Sequence, residues 1–293
     1  MKLDVLCDWI EASVLFDEDE LSVADIVDAL CEENIYKKQE LAFEMVGNAW
    51  TELRRRSSWI RAGFPLTLRS SRISRRVSWE DVAPHSFCLL LCLAKWYRSW
   101  AREFGSDYTE QGEIFEELTK ESLSRQFSGW QIHRTGWSKT NLKKLSEVVR
   151  FVAEKLGEPM GHIRRWTKPD ANEAGLDLLC YRPFRDERVG VPVYLMQCAS
   201  GGNWKDKLHT PNLNLWRQIV QFTTKPTKAF STPFAFLDDA FIRNCTLIEG
   251  MLLDRYRLLA PAMDNAAWIS MPLKERIIDW AAPRVSALPC RDA

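Results

Sequence analysis

Three oxygen-bearing side chains stand where the surrounding pattern is apolar. Asp177 lies in Gly175-Leu-Asp-Leu-Leu-Cys-Tyr181, and Gln197 in Val193-Tyr-Leu-Met-Gln-Cys-Ala199. Both stretches read as strands, in which successive side chains alternate between faces. Asp177 then shares a face with Leu179 and Tyr181, and Gln197 with Val193, Leu195 and Ala199. A carboxylate inside an apolar strand is costly to bury unless it is paired or holds a cation. Asp177 beside Gln197 on a neighbouring strand would offer oxygen ligands to a hard divalent ion. A third donor comes from an earlier helix. On a wheel of about 100° per residue, Ile114, Leu118 and Leu123 define an apolar arc. Glu113 and Glu117 point away from it, while Glu116 and Glu121 sit at its edges. An edge acid can pack against a sheet and still reach its open end, and Glu116 is the one chosen.

A second chemistry is contact with phosphates and bases. Arg164, Arg165, Trp166 and Lys168 form one basic-aromatic cluster, and His133 and Arg134 with Trp137 and Lys139 form another. Arg and Lys contact phosphates, and Trp stacks on unpaired bases. The competing account is a solvated loop with its Trp anchored in the core.

The elements that must position these residues follow from the periodicity. Leu3–Phe16 reads as a helix, then the acidic connector Asp17–Glu20, then a helix capped by Ser22. A third helix covers about Lys38 to Arg56. Its terminal Arg54–Arg56 suits the negative end of a helix dipole. Leu66–Val77 reads as an exposed strand or hairpin, and about Pro84 to Arg102 as a helix. In the second half, Thr109 caps a helix to about Ser124 and Trp130–Arg134 is a short strand. Thr140–Leu156 is a helix closed by Gly157. Leu176–Arg182 and Val191–Ala199 are strands, a helix follows Pro211, and Ala229–Phe236 is a further strand. The end, from about Thr246, reads as mostly helical. The predicted division is a mainly helical region 1–104 and an α/β domain 105–293 with a helical C-terminal segment.

Composition excludes several classes. The 293 residues carry 40 Lys+Arg against 40 Asp+Glu, so the protein does not coat nucleic acid through bulk charge. At 46% hydrophobic it is not intrinsically disordered. No apolar run approaches the roughly 20 residues of a bilayer span. The N-terminus, Met1-Lys2-Leu3-Asp4-Val5, lacks the form of a signal peptide. No membrane partner is expected, and the expected location is cytoplasmic. The cysteines contain no C-x-x-C pair and the chain has only 4 His, which disfavours a soft-metal site. Neither a phosphate-binding G-x-x-x-x-G-K-[ST] loop nor a G-x-S-x-G elbow is present.

The order of the oxygen donors carries a resemblance. Gly112-x-x-Phe-Glu116 on a helix, Gly175-x-Asp177 opening a strand, and a strand ending in Gln197-Cys198 resemble the PD-(D/E)XK superfamily of restriction-type nucleases, over about residues 105–210. The resemblance implies an α/β (α+β), restriction-endonuclease-like central mixed sheet flanked by helices. It implies one or two Mg²⁺ (or Mn²⁺) ions. Asp177 and Glu116 would be metal ligands, and Gln197 stands where the second acid usually sits. The family's lysine belongs two residues later, where this chain has Ala199. In the resembling variants that lysine is displaced, which points to Lys207 or Lys205 after the turn Ser200-Gly-Gly-Asn203. The catalytic set is then Asp177, Gln197, Lys207, Lys205 and Glu116.

The function implied is a metal-dependent DNA nuclease, a component of a bacterial restriction or anti-phage defence system. The alternative is a catalytically inactive nuclease-fold subunit that binds DNA or partner proteins. A third account is a helical adaptor with a merely structural α/β half. DNA is the expected partner, with other defence-system subunits docking on the N-terminal helices.

Overall fold

A computed structural model describes residues 1–293 except 95–96, 98–99, 106–107, 136–143, 167–173, 266 and 289–293; the side chains of 101–102 are also left out. In chain order the helices are α1 (Leu3–Phe16), α2 (Val23–Glu32), α3 (Gln39–Ile60), α4 (Ala83–Leu93), α5 (Trp100–Glu103), α6 (Thr109–Gln126), α7 (Leu145–Leu156), α8 (Ile163–Trp166), α9 (Leu213–Ile219), α10 (Asp238–Ile248), α11 (Arg255–Leu258) and α12 (Met271–Ser286). The strands are β1 (Glu20–Ser22), β2 (Leu66–Leu68), β3 (Arg72–Arg75), β4 (Gln131–Arg134), β5 (Leu178–Tyr181), β6 (Val193–Cys198), β7 (Thr227–Ser231) and β8 (Gly250–Leu253). The chain forms two compact units. One takes Met1–Gly105, Pro233–Leu237 and the chain from Arg255; the other takes Ser106–Thr232 and Asp238–Asp254. Among the described residues no helix is long and apolar enough to cross a membrane.

In the first unit, Ser22 closes a capping box. Its hydroxyl accepts from the Asp25 N–H at 3.2 Å, and the Asp25 carboxylate accepts from the Ser22 N–H at 2.7 Å. β2 and β3 form the expected hairpin, and β1 adds to it in the order β1-β3-β2. That third strand lies at the end of the stretch read as an acidic connector. Arg72 and Arg75 on β3 ion-pair with Glu20 and Asp19 on that side. The acids are thus charge partners across a sheet edge.

The run Arg54–Arg56 departs from its helix-terminus interpretation. α3 continues to Ile60, so the run lies within the helix. Arg56 is fully buried and bonds Asp8 and Glu11, each at 2.8 Å, and Glu52 at 3.3 Å. Glu11 also receives the Tyr256 hydroxyl at 2.9 Å and lies 3.0 Å from Nε2 of His85. Burial alone would raise the Glu11 carboxyl. The His85 hydrogen bond and the charges of Arg56 and Arg255 more than offset it and hold the group far below the usual carboxylate range.

The second unit is built on a five-stranded mixed sheet flanked by helices, in the order β4-β5-β6-β7-β8. The pairs β4–β5 and β5–β6 are antiparallel, and β6–β7 and β7–β8 are parallel. Register fixes the faces. Leu179 opposes Leu195, and Tyr181 opposes Val193. These four join Val148, Val149, Val152 and Leu156 of α7 with Trp216 and Ile219 of α9 in one buried core. Each such aliphatic side chain, fully buried, contributes roughly 1.5–3 kcal/mol. Gly157 closes α7 in the left-handed region, at φ 67°. On the opposite face α6 packs against β4 and β6, and the hydroxyls of Thr119 and Ser231 meet at 3.1 Å. Within the mostly helical end expected from about Thr246, β8 is the exception; it extends the sheet by parallel pairing to β7, which a local pattern does not reveal.

Candidate active site

The site begins where β5 starts and β6 ends. Asp177 directly precedes β5, and its N–H donates to the Met196 carbonyl at 2.9 Å. Extending the Leu178–Met196 register by one residue places Asp177 opposite Gln197. The Asp177 carboxylate, Oδ2, accepts from the backbone N–H of Cys198 at 2.6 Å and from Nε2 of Gln197. A strand N–H lies in the plane of its sheet, so a carboxylate bonded to it sits at the sheet's end, beyond either face. It occupies the place of the next ladder carbonyl.

Glu116 approaches from the α6 side. It is buried, and Nε and Nη2 of Arg134 donate to its Oε2 at 3.1 and 3.0 Å. Arg134 also reaches Glu117 at 3.3 Å. Burial raises the Glu116 carboxyl to about 8; the Asp177 charge adds to this and the Arg134 charge opposes it. Burial and the Asp177 charge thus favour the protonated form of Glu116, and the Arg134 ion pair favours the ionised one. The neighbouring Cys198 thiol is pushed well above its usual value by burial and by the Asp177 and Glu116 charges, so it is no nucleophile.

A divalent ion needs several oxygen donors. Asp177 and Glu116 carry carboxylates and the Cys198 carbonyl is a neutral oxygen, while the Gln197 amide turns its Nε2 to Asp177 and its Oε1 to Thr210. Among the described residues there is no group of three or more His, Cys, Asp or Glu placed to hold a metal. Carboxylate and carbonyl oxygens are the donor type that a hard cation takes, and the sulfur beside them, on Cys198, is buried.

The lysines differ in placement. Lys205 is exposed, with its ammonium 5.7 Å from the Trp204 ring centroid. Lys207 is half-buried, and its carbonyl accepts from the Thr210 N–H at 2.9 Å. Thr210 in turn bonds Gln197 Oε1 at 2.9 Å, so the turn carrying both lysines is tied to the site. Lys228 is a further cation near this end of the sheet, outside the set that the sequence pattern singles out. It is buried on β7, opposite Leu195 and thus on the Gln197 face. Its ammonium donates to the Leu208 carbonyl at 3.2 Å, and burial lowers its pKa. Its sequence signal is a lone Lys in Thr227-Lys-Ala-Phe-Ser231, just before the stretch assigned to that strand. Thr210 is also outside that set, since a Thr before Pro reads as a turn.

The residues assigned to nucleic acid divide. Arg164, Arg165 and Trp166 are exposed on α8, with the Arg165 guanidinium 5.4 Å from the Trp166 ring centroid. Arg134 is part-exposed, and its guanidinium is engaged by Glu116 and Glu117 because β4 packs against α6. Lys168, Lys139 and Trp137 lie outside the described residues. Compared with known proteins, the chain matches no family model, no curated protein and no solved structure.

Proposed function

We propose that the chain is a metal-dependent DNA nuclease with a restriction-endonuclease-like domain. The observation that carries this reading is the pair of buried acids, Asp177 and Glu116, brought to one end of the central sheet from a strand and a helix. Asp177 and Glu116 would hold Mg²⁺ or Mn²⁺, with Gln197 beside them. Such an ion, when bound, neutralises charge on a phosphate and activates water. The Cys198 N–H and the Gln197 amide both donate to the Asp177 carboxylate and fix its position. Lys207, Lys205 and Lys228 are the candidates for the positive charge that the reaction requires opposite the phosphate. Arg164, Arg165 and Trp166 would contact DNA, phosphates by the guanidinium groups and a base by the indole. A role in bacterial restriction or anti-phage defence, with other subunits docking on the N-terminal helices, rests on the resemblance alone.

One observation favours a second reading, a catalytically silent nuclease-fold subunit. Each carboxylate already has a protein partner: Arg134 on Glu116, and the Gln197 amide on Asp177. Incubation of single- and double-stranded DNA with the protein in Mg²⁺ and in Mn²⁺, beside Asp177→Ala, separates the two. Cleavage that disappears in the variant supports the enzyme. DNA binding with no cleavage by the wild type supports the silent subunit.

A further inference from the structure

We propose that Gln197 is a reversible cation ligand, its side-chain amide turning by half a rotation when a divalent ion binds, and that Thr210 is the positioning residue that permits the turn. This rests on the cation-site reading of Asp177 and Glu116.

The two ends of a carboxamide have the same shape, so a half-turn exchanges donor for acceptor without moving the neighbours. In the present arrangement Nε2 donates to Asp177 and, at 3.3 Å, to the Cys198 carbonyl. Oε1 faces the Thr210 hydroxyl at 2.9 Å. That hydroxyl also lies 2.7 Å from the Lys207 carbonyl. A hydroxyl carries one proton, and here two acceptors compete for it. One of them goes short.

The half-turn removes that shortage. Nε2 then donates to the Thr210 oxygen, and the hydroxyl proton goes wholly to Lys207. The turn also brings Gln197 Oε1 toward the Asp177 carboxylate and the Cys198 carbonyl. Three oxygens with no proton between them repel one another, unless a cation sits among them. The ion and the turn are therefore linked: the ion needs the oxygen, and the turned amide needs the hydroxyl as acceptor. Gly175 keeps the space bare. A Cβ there would lie 3.1 Å from Gln197 Oε1 and 2.6 Å from the Thr210 Cβ.

The test uses the full chain, with Mn²⁺ binding followed by electron paramagnetic resonance of the free ion. Thr210→Val keeps the shape and removes the hydroxyl, and affinity should fall about tenfold, the worth of one hydrogen bond. Thr210→Ser should bind as the wild type does. In a Gln197→Glu background the residue at 210 should no longer matter, because a carboxylate has no donor to place. A Mg²⁺ titration of ¹⁵N-labelled wild type reads the turn itself, as a shift of the Gln197 carboxamide resonances. If wild type binds no Mn²⁺, the cation-site reading falls and takes this inference with it. If wild type binds and Thr210→Val binds equally well, only the inference is overturned. Carboxamide resonances unmoved by saturating Mg²⁺ overturn it also, whatever the folding of the variant.

Discussion

Glu116 is the residue whose chemistry is most exposed to test. Burial and the Asp177 charge raise its carboxyl from the usual 4.5 to about 8. A group that binds its proton more tightly when folded penalises the folded state as pH rises between those two values. The penalty is absent below 4.5 and complete above 8. The second unit should thus lose stability across that window, and Glu116→Gln should flatten the loss, as read by chemical denaturation at a series of pH values. An unchanged slope in the variant would place the titrating group elsewhere. Mn²⁺ affinity should rise over the same window, since ion and proton compete for one carboxylate. The acid character of Asp177 and the edge position of Glu116 were legible from the strand and helix periods. The partner of Glu116 was not. Arg134 reads as a phosphate contact at the end of a short strand, and only the packing of α6 against β4 brings it to a carboxylate.

At the scale of elements, two short pieces deliver the candidate functions. Gly175 opens the approach to β5 at φ 70°, and a Cβ there would come within 2.6 Å of Thr210. Gly175→Ala should therefore destabilise the second unit by about 1–3 kcal/mol, from left-handed strain and a clash with the turn after β6. A loss below a few tenths would contradict that account. α8 presents Arg164 and Arg165 to solvent. Replacing both by Ala should weaken DNA binding for any sequence and lower the log–log salt slope by about 0.9 per lost phosphate contact. Thermal stability should be nearly unchanged, because exposed Arg contributes little. An unaltered slope would exclude α8 as the contact. The helices α1, α2 and α7 and the strands β4 to β6 were legible because their apolar periods are complete within the segment. β1 and β8 were not, since each is a short edge strand defined by its partner.

At the scale of the whole molecule, charge neutrality requires any nucleic-acid contact to be local. The chain passes between its two units four times, because the 233–237 segment and the chain from Arg255 belong with the N-terminal helices. A linear pattern shows composition shifts and does not show such returns. The first unit depends on one of them: Arg255, far along the chain, lies 3.1 Å from Asp8 and is fully buried. Glu11→Ala would leave Arg56 and Arg255 buried with too little counter-charge. It should cost about 3–5 kcal/mol, as for other broken buried ion pairs, measured by urea denaturation. A loss under 1 kcal/mol would show that the cluster is not held together by that carboxylate.

The central claim is that Asp177 and Glu116 form a divalent-cation site that cleaves DNA. The most direct measurement is the initial rate of DNA cleavage in Mg²⁺ and in Mn²⁺ for wild type and Asp177→Ala, with both proteins shown to be folded. The account predicts cleavage that requires the metal and falls at least about a hundredfold in the variant, the scale of removing a group that stabilises developing charge. Equal rates in the two proteins, or no cleavage of single- or double-stranded DNA by folded wild type with either metal, would contradict it.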